Sequence, residues 1–170
     1  MDLVARLART RIGGTYNQYA RSELRRDRLR AYLDAHAAAE TVLVGEAAGY
    51  RGARISGVPF TSERQLTGTG PAEATATVVH RVLAELGLGD EVLLWNVVPT
   101  HPGTARSNRR PTRAEIEAAE PFLVELVRGR RVVAVGRTAA SVLADAACVR
   151  HPSHGGARAF ADGLLRTLGA

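Results

Sequence analysis

A chain of 170 residues with 45% hydrophobic content is long enough to bury one core, and it reads as one domain over residues 1–170. Its single cysteine, Cys148, excludes an internal disulfide, a cysteine-built zinc site and a cysteine-ligated iron–sulfur cluster. The formal charge of +6 is carried entirely by arginine, and a guanidinium does not give up the proton that Schiff-base chemistry requires.

That charge favours an anionic partner, of which nucleic acid is the commonest. The Ala-, Arg- and Gly-rich composition is equally what coding bias towards G and C produces, so charge alone leaves the partner open. No apolar run has the length of a membrane span, and Asp2, Arg6 and Arg9 interrupt the first residues. A cytoplasmic monomer without a membrane partner is the expectation.

In chain order, residues 1–11 and 22–38 read as helices, with Ser22 as N-cap of the second and Leu24, Leu29 and Leu33 on one face. Thr41–Val44 is the first strand, followed by a long loop, Gly45–Gly70, dense in Gly, Thr and Ser. Loops of this length inside a compact domain are usually functional. Pro71–Leu86 is a helix with Pro71 in its first turn, and Glu91–Trp95 the second strand. A second long loop, Asn96–Arg110, leads to a helix from Thr112 to about Val127, with Thr112 and Glu115 forming a capping box. Pro121 is expected to kink or divide that helix. Arg131–Val135 is a strand, Arg137–Ala146 a helix, Ala147–Arg150 a short strand and Ala157–Leu168 the last helix. Short apolar strands joined by helices argue a three-layer α/β/α domain around a four-stranded, mostly parallel sheet.

Open α/β sheets bind ligands beyond the carboxyl ends of their strands, and three of these strands are followed at once by chemistry. After the first, Gly45-Glu46-Ala47-Ala48-Gly49-Tyr50 places a carboxylate between glycines; it is either an acid–base group or a partner for one of the arginines. The Gly-x-Gly-x-x-Gly dinucleotide fingerprint is absent. Phe60, after Gly57-Val58-Pro59, is either a stacking platform for a base or an anchor for the loop. Asn96 offers the donor and acceptor that reading a nucleobase edge requires, or else satisfies a turn. His151-Pro152-Ser153-His154-Gly155-Gly156 combines an imidazole, a hydroxyl and small residues ahead of a helix, a setting that favours phosphate. His36 and His80 fall within predicted helices, while His101 lies in the second loop within reach of a substrate.

Taken together, these stretches resemble the uracil-DNA glycosylase superfamily. Gly45-Glu46-Ala47-Ala48-Gly49 is similar to the Gly-Glu-Ala-Pro-Gly of one branch, with Ala48 where proline is usual. Gly57-Val58-Pro59-Phe60 is similar to the Gly-x-Pro-Phe that follows it. Leu93-Leu94-Trp95-Asn96 resembles the apolar strand ending in asparagine, and His151-Pro152-Ser153 the last motif. The resemblance covers about residues 41–165. It implies a monofunctional glycosylase that extrudes uracil, or a related deaminated base, from DNA and leaves an abasic site. On this likeness Phe60 stacks on the base, Asn96 reads its O4 and N3 edge, and His151 donates to O2. Glu46 positions or activates the water, Tyr50 crowds C5 against thymine, and Ser153 and His154 hold the DNA backbone. No cofactor and no metal are expected, although the Gly-Glu-Ala-Pro-Gly branch generally carries a four-cysteine cluster. Two other readings stay open: a non-catalytic protein that binds uracil or damaged DNA, and a hydrolase of free nucleotides or nucleosides with Glu46 and His151 as acid–base pair.

Overall fold

Four runs rich in Val, Leu and Ala pair side by side, because a strand apolar on both faces is stable only where helices cover both. The computed structural model describes residues 2–169; Met1, where the first expected helix starts, and Ala170 lie outside the described residues. The strands are β1 (Thr41–Ala47), β2 (Val92–Val98), the two-residue β3 (Gly103–Thr104) and β4 (Ser107–Asn108), β5 (Arg131–Val135) and β6 (Ala147–Val149). The main sheet has the order β2-β1-β5-β6, and all three pairings are parallel. Strands β3 and β4 form a separate antiparallel hairpin.

The helices are α1 (Leu3–Arg9), α2 (Glu23–Ala35), α3 (Ala53–Ser56), α4 (Glu63–Thr67), α5 (Ala74–Glu85), α6 (Arg113–Val127), α7 (Arg137–Val142) and α8 (Ala157–Leu168). Strand side chains alternate between two layers, as period-2 geometry demands. Val42, Val44, Leu93, Trp95 and Ala134 pack with α1, α2, α6 and α7. Leu43, Leu94, Val133, Val135 and Val149 pack with α5 and α8. This is the expected α/β/α sandwich.

Local signals decided several boundaries. The Ser22 side chain accepts from the Arg25 N–H at 3.3 Å, and the capping box at Thr112 and Glu115 forms in both directions, at 3.2 and 2.8 Å. Elsewhere the structure differs from the sequence expectation. Strands β1 and β2 each run three residues further, so Glu46 and Asn96 lie within the sheet and not in loops behind it. The first long loop contains the short helices α3 and α4, and the second contains the β3–β4 hairpin. Helix α5 starts at Ala74 with Glu73 as its N-cap, leaving Pro71 outside it. Helix α6 runs undivided through Pro121: Pro121 and Glu117, whose carbonyl loses its donor, are both exposed, which leaves that carbonyl open to solvent. Leu24 is exposed, while Leu29 is buried and Leu33 packs at the edge of the core.

Candidate active site

Gly45 and Asn96 are register partners on β1 and β2, so the sheet itself sets the spacing between the first two motifs. A Cβ on Gly45 would lie 2.8 Å from Phe60 Cε2 and closer still to Cζ, and 3.0 Å from Asn96 Oδ1. Glycine is therefore what lets the Phe60 ring come against the strand beside the amide. The backbone holds Phe60 there at φ 51°, and among the described residues Phe60 and His154 are the only non-glycines with positive φ. Such strain persists where its surroundings enforce it, and it clusters at functional sites. Here the enforcement is visible. The Ser56 hydroxyl donates to the Thr61 carbonyl at 2.6 Å and accepts from the Val58 N–H at 3.1 Å. His80 Nε2 meets the Thr61 hydroxyl at 3.1 Å. Burial pushes the His80 pKa down, opposed by its hydrogen bond to the Phe60 backbone.

A cavity of about 340 Å³ opens at the carboxyl ends of the strands, lined among others by Glu46, Gly49, Phe60, Glu73, Asn96, Arg109, His151, Ser153 and His154. A second cleft of about 400 Å³ shares Glu46, His151, Ser153 and His154 and extends to Arg110, Arg137 and Thr138. Asn96 is 4% exposed, yet its carboxamide makes no hydrogen bond among the described residues; its open side is the cavity. The Thr138 hydroxyl donates to the Glu46 carboxylate and fixes its direction.

His151 has an assignable tautomer. The Ser153 N–H donates to His151 Nδ1 at 3.2 Å, so Nδ1 presents a lone pair and the neutral ring carries its proton on Nε2. The Ser153 hydroxyl sits 2.7 Å from the same nitrogen and 3.0 Å from His154 Nδ1. Burial lowers the His151 pKa; the Glu46 charge raises it and the His154 charge lowers it. The imidazole is thus a neutral donor whose Nε2–H has no partner among the described residues.

Tyr50 stands apart from this group. Its N–H donates to Asn108 Oδ1 at 2.9 Å, and it is not among the residues that line the cavity. His101 is fully buried, with Nδ1 2.7 Å from the Ala48 carbonyl and Nε2 2.7 Å from that of Thr104, so it ties the first motif to the hairpin. The Ala48 N–H donates to the Val98 carbonyl at 3.3 Å, a bond that a proline at this position forfeits. Cys148 is exposed on β6. With one cysteine in the chain, the donor set does not fit a four-cysteine cluster. Among the described residues no group of three or more His, Cys, Asp or Glu is placed to hold a metal ion.

Three cavity residues escaped the sequence reading. Thr138 lies just beyond β5, where the same strand-end rule applied to the other strands would have found it. Arg109 is one arginine among many; it is set by a two-pronged ion pair with Glu115 at 2.6 and 2.8 Å. Glu115 also accepts from the N–H groups of Thr112 and Gly14, and these bonds hold its pKa down at about 2, with Arg109 the largest cause. Glu73 carried no motif, and its place in the cavity depends on the fold of the whole first loop.

The sequence profile of the Uracil DNA glycosylase superfamily matches residues 33–165. Among solved structures, the crystal structure of wild-type SMUG2 from Pedobacter heparinus superposes with a TM-score of 0.70 at 13% identity. The superposition covers 94% of this chain and 90% of that one, a likeness of fold. No curated protein sequence matches the chain.

Proposed function

This chain belongs to the uracil DNA glycosylase superfamily, and we propose that its activity is the monofunctional removal of uracil from DNA. The observation that carries the reading is that Asn96, Glu46 and His151 meet at one cavity, with the Asn96 amide and the His151 Nε2–H both without a partner among the described residues. In this reading uracil is extruded from the helix and stacks on Phe60. The Asn96 amide donates to O4 and accepts from N3–H, an arrangement that cytosine, with donor and acceptor exchanged, does not satisfy. As the N1–C1′ bond breaks, its electron pair leaves with the base, and His151 Nε2–H donates to O2 as negative charge grows there. This stabilisation acts mainly in the transition state. A neutral imidazole serves well, because it donates without having to lose charge when the anion departs.

Glu46, oriented by Thr138, takes a proton from the water that adds to C1′, and the product is an abasic sugar. With no lysine to attack C1′, strand cleavage by a lyase route is not expected. Ser153 and His154 line the cavity with His151 and are assigned to the DNA backbone. Residues 1–170 then act as one cytoplasmic domain, a monomer on its DNA. Base release from matched oligonucleotides carrying U, T, hypoxanthine or xanthine, single- and double-stranded, with and without alkali, tests the reading. Alkali-dependent cleavage at U supports it. Bound DNA with no cleavage at any base replaces it with a binding protein of the same fold.

A further inference from the structure

Among the exposed large apolar side chains of the described residues, Tyr16 is the one aromatic, 46% exposed. The Arg54 guanidinium lies over its ring, with Cζ 4.9 Å from the centroid. The pair lines neither cleft at the strand ends, yet it adjoins the first of them. The Arg54 N–H donates to the carbonyl of Gly49, a cavity residue, at 3.2 Å. Tyr16 exchanges both backbone hydrogen bonds with His101, at 2.8 and 3.0 Å, and the His101 ring meets the Ala48 carbonyl. A single aromatic residue on a surface is ordinary; this one is set apart by how it is held. Thr15 Oγ1 lies 2.6 Å from Thr100 Oγ1, and the Gln18 amide donates to the Pro99 carbonyl at 2.8 Å. The Asn17 amide donates to the carbonyls of Leu7 and Thr10 at 2.8 and 3.0 Å. The ring therefore projects from fixed backbone, and ordering it on a ligand costs little entropy. Arg54 brings a permanent charge that no carboxylate among the described residues neutralises, and its Nε is buried without an acceptor.

The following rests on DNA being the substrate, as proposed above. We propose that Tyr16 and Arg54 form a second nucleotide site, outside the cavity. There an unpaired base of the bound strand stacks on the tyrosine ring and a phosphate pairs with the guanidinium. The pair offers one aromatic face and one cation, which a nucleotide matches with one base and one phosphate; an acidic peptide satisfies only the cation. Every base has a π-face, so the site is indifferent to sequence. A base inside a duplex keeps its own stacking partners, so the site engages only a nucleotide without a complement. Neither residue touches the reacting atoms, and the site therefore acts on affinity and not on bond breaking.

The test measures equilibrium binding of a single strand carrying one 2′-fluoro-2′-deoxyuridine, whose fluorine suppresses base loss. A matched set replaces one flanking nucleotide at a time with an abasic spacer. Wild type, Tyr16→Ala, Tyr16→Phe and Arg54→Met are compared after thermal unfolding has shown each to be folded. In wild type one spacer position should weaken binding by ~10- to 100-fold, the scale of one base–aromatic stack. Tyr16→Ala should lose that factor on the intact strand and nothing further at that spacer position, while Tyr16→Phe binds like wild type. Arg54→Met should lower the slope of log affinity against log salt by about 0.7, the share of one phosphate on a single strand. Binding of the fully paired duplex should be the same in Tyr16→Ala as in wild type. If Tyr16→Ala does not fold, Tyr16→Leu carries the same expectation. Unchanged binding of the strand by Tyr16→Ala, or a loss that adds to that of every spacer position, overturns the assignment. Release of uracil from the unmodified strand judges the hydrolase reading separately. A wild type that binds without releasing base refutes that reading, and the spacer coupling still decides the role of Tyr16. A wild type that binds no DNA refutes both.

Discussion

Adding one methyl group at Gly45 probes whether the sheet and the Phe60 loop are fitted to each other. In Gly45→Ala the new Cβ falls 2.8 Å from Phe60 Cε2, whereas unstrained carbon contacts lie at about 3.5–4.0 Å. Cζ lies closer still, so the ring must retreat by at least about 1 Å. It has little freedom to do so, because Phe60 is already at φ 51° and the Ser56, Thr61 and His80 hydrogen bonds hold its turn. Overpacking of this kind costs about 1–3 kcal/mol. A displacement near 1 Å at a substrate-positioning group can cost on the order of 100-fold in rate. Denaturant unfolding and uracil release are measured for Gly45→Ala, Phe60→Ala and the double variant. In the Phe60→Ala background the ring is gone, so Gly45→Ala should cost little more, giving a coupling energy of about 1 kcal/mol or larger in magnitude. If the two effects add to within about 0.5 kcal/mol, the ring and the glycine are independent and the fitted-surface argument fails.

His151→Ala should lower uracil release by about 100- to 1000-fold while leaving affinity for U-containing DNA nearly intact; equal losses in rate and affinity would give the imidazole a binding role. Asn96→Asp should relax the discrimination against cytosine, read as base release from C-containing oligonucleotides, and unchanged selectivity would remove Asn96 from base reading. Glu115 has its pKa lowered to about 2, so it contributes stability that is complete above about pH 4.5 and lost as pH falls towards 2. Glu115→Gln should cost about 2 kcal/mol at pH 7, the scale of lost charge-assisted hydrogen bonds, and should flatten the acid limb of a plot of Tm against pH. An unaltered acid limb would mean that other carboxylates govern acid unfolding.

The layer architecture was legible in the chain because alternation along strands and caps on helices are local signals. The capping box at Thr112 and Glu115 and the bounds of Ala157–Leu168 needed no distant contact. Motifs behind strand ends also pointed to Glu46, Asn96 and His151, since a parallel sheet gathers its carboxyl ends on one edge. What no local pattern carries is how far each strand pairs and which loops fold back. Strands β1 and β2 extend together to Ala47 and Val98 because each completes the other's hydrogen bonds, which drew Glu46 and Asn96 into the sheet. Leu24 has the spacing of a core residue, but no neighbouring element covers it. Thr138 reaches Glu46 across 92 residues of sequence, and Glu73 reaches Gly49 and Gly52 only after the first loop has folded over β1. By itself the sequence determined the sandwich and the edge where its chemistry gathers. Only the tertiary structure decided which carboxyls, hydroxyls and glycines touch there, because those contacts join residues whose separation along the chain carries no period.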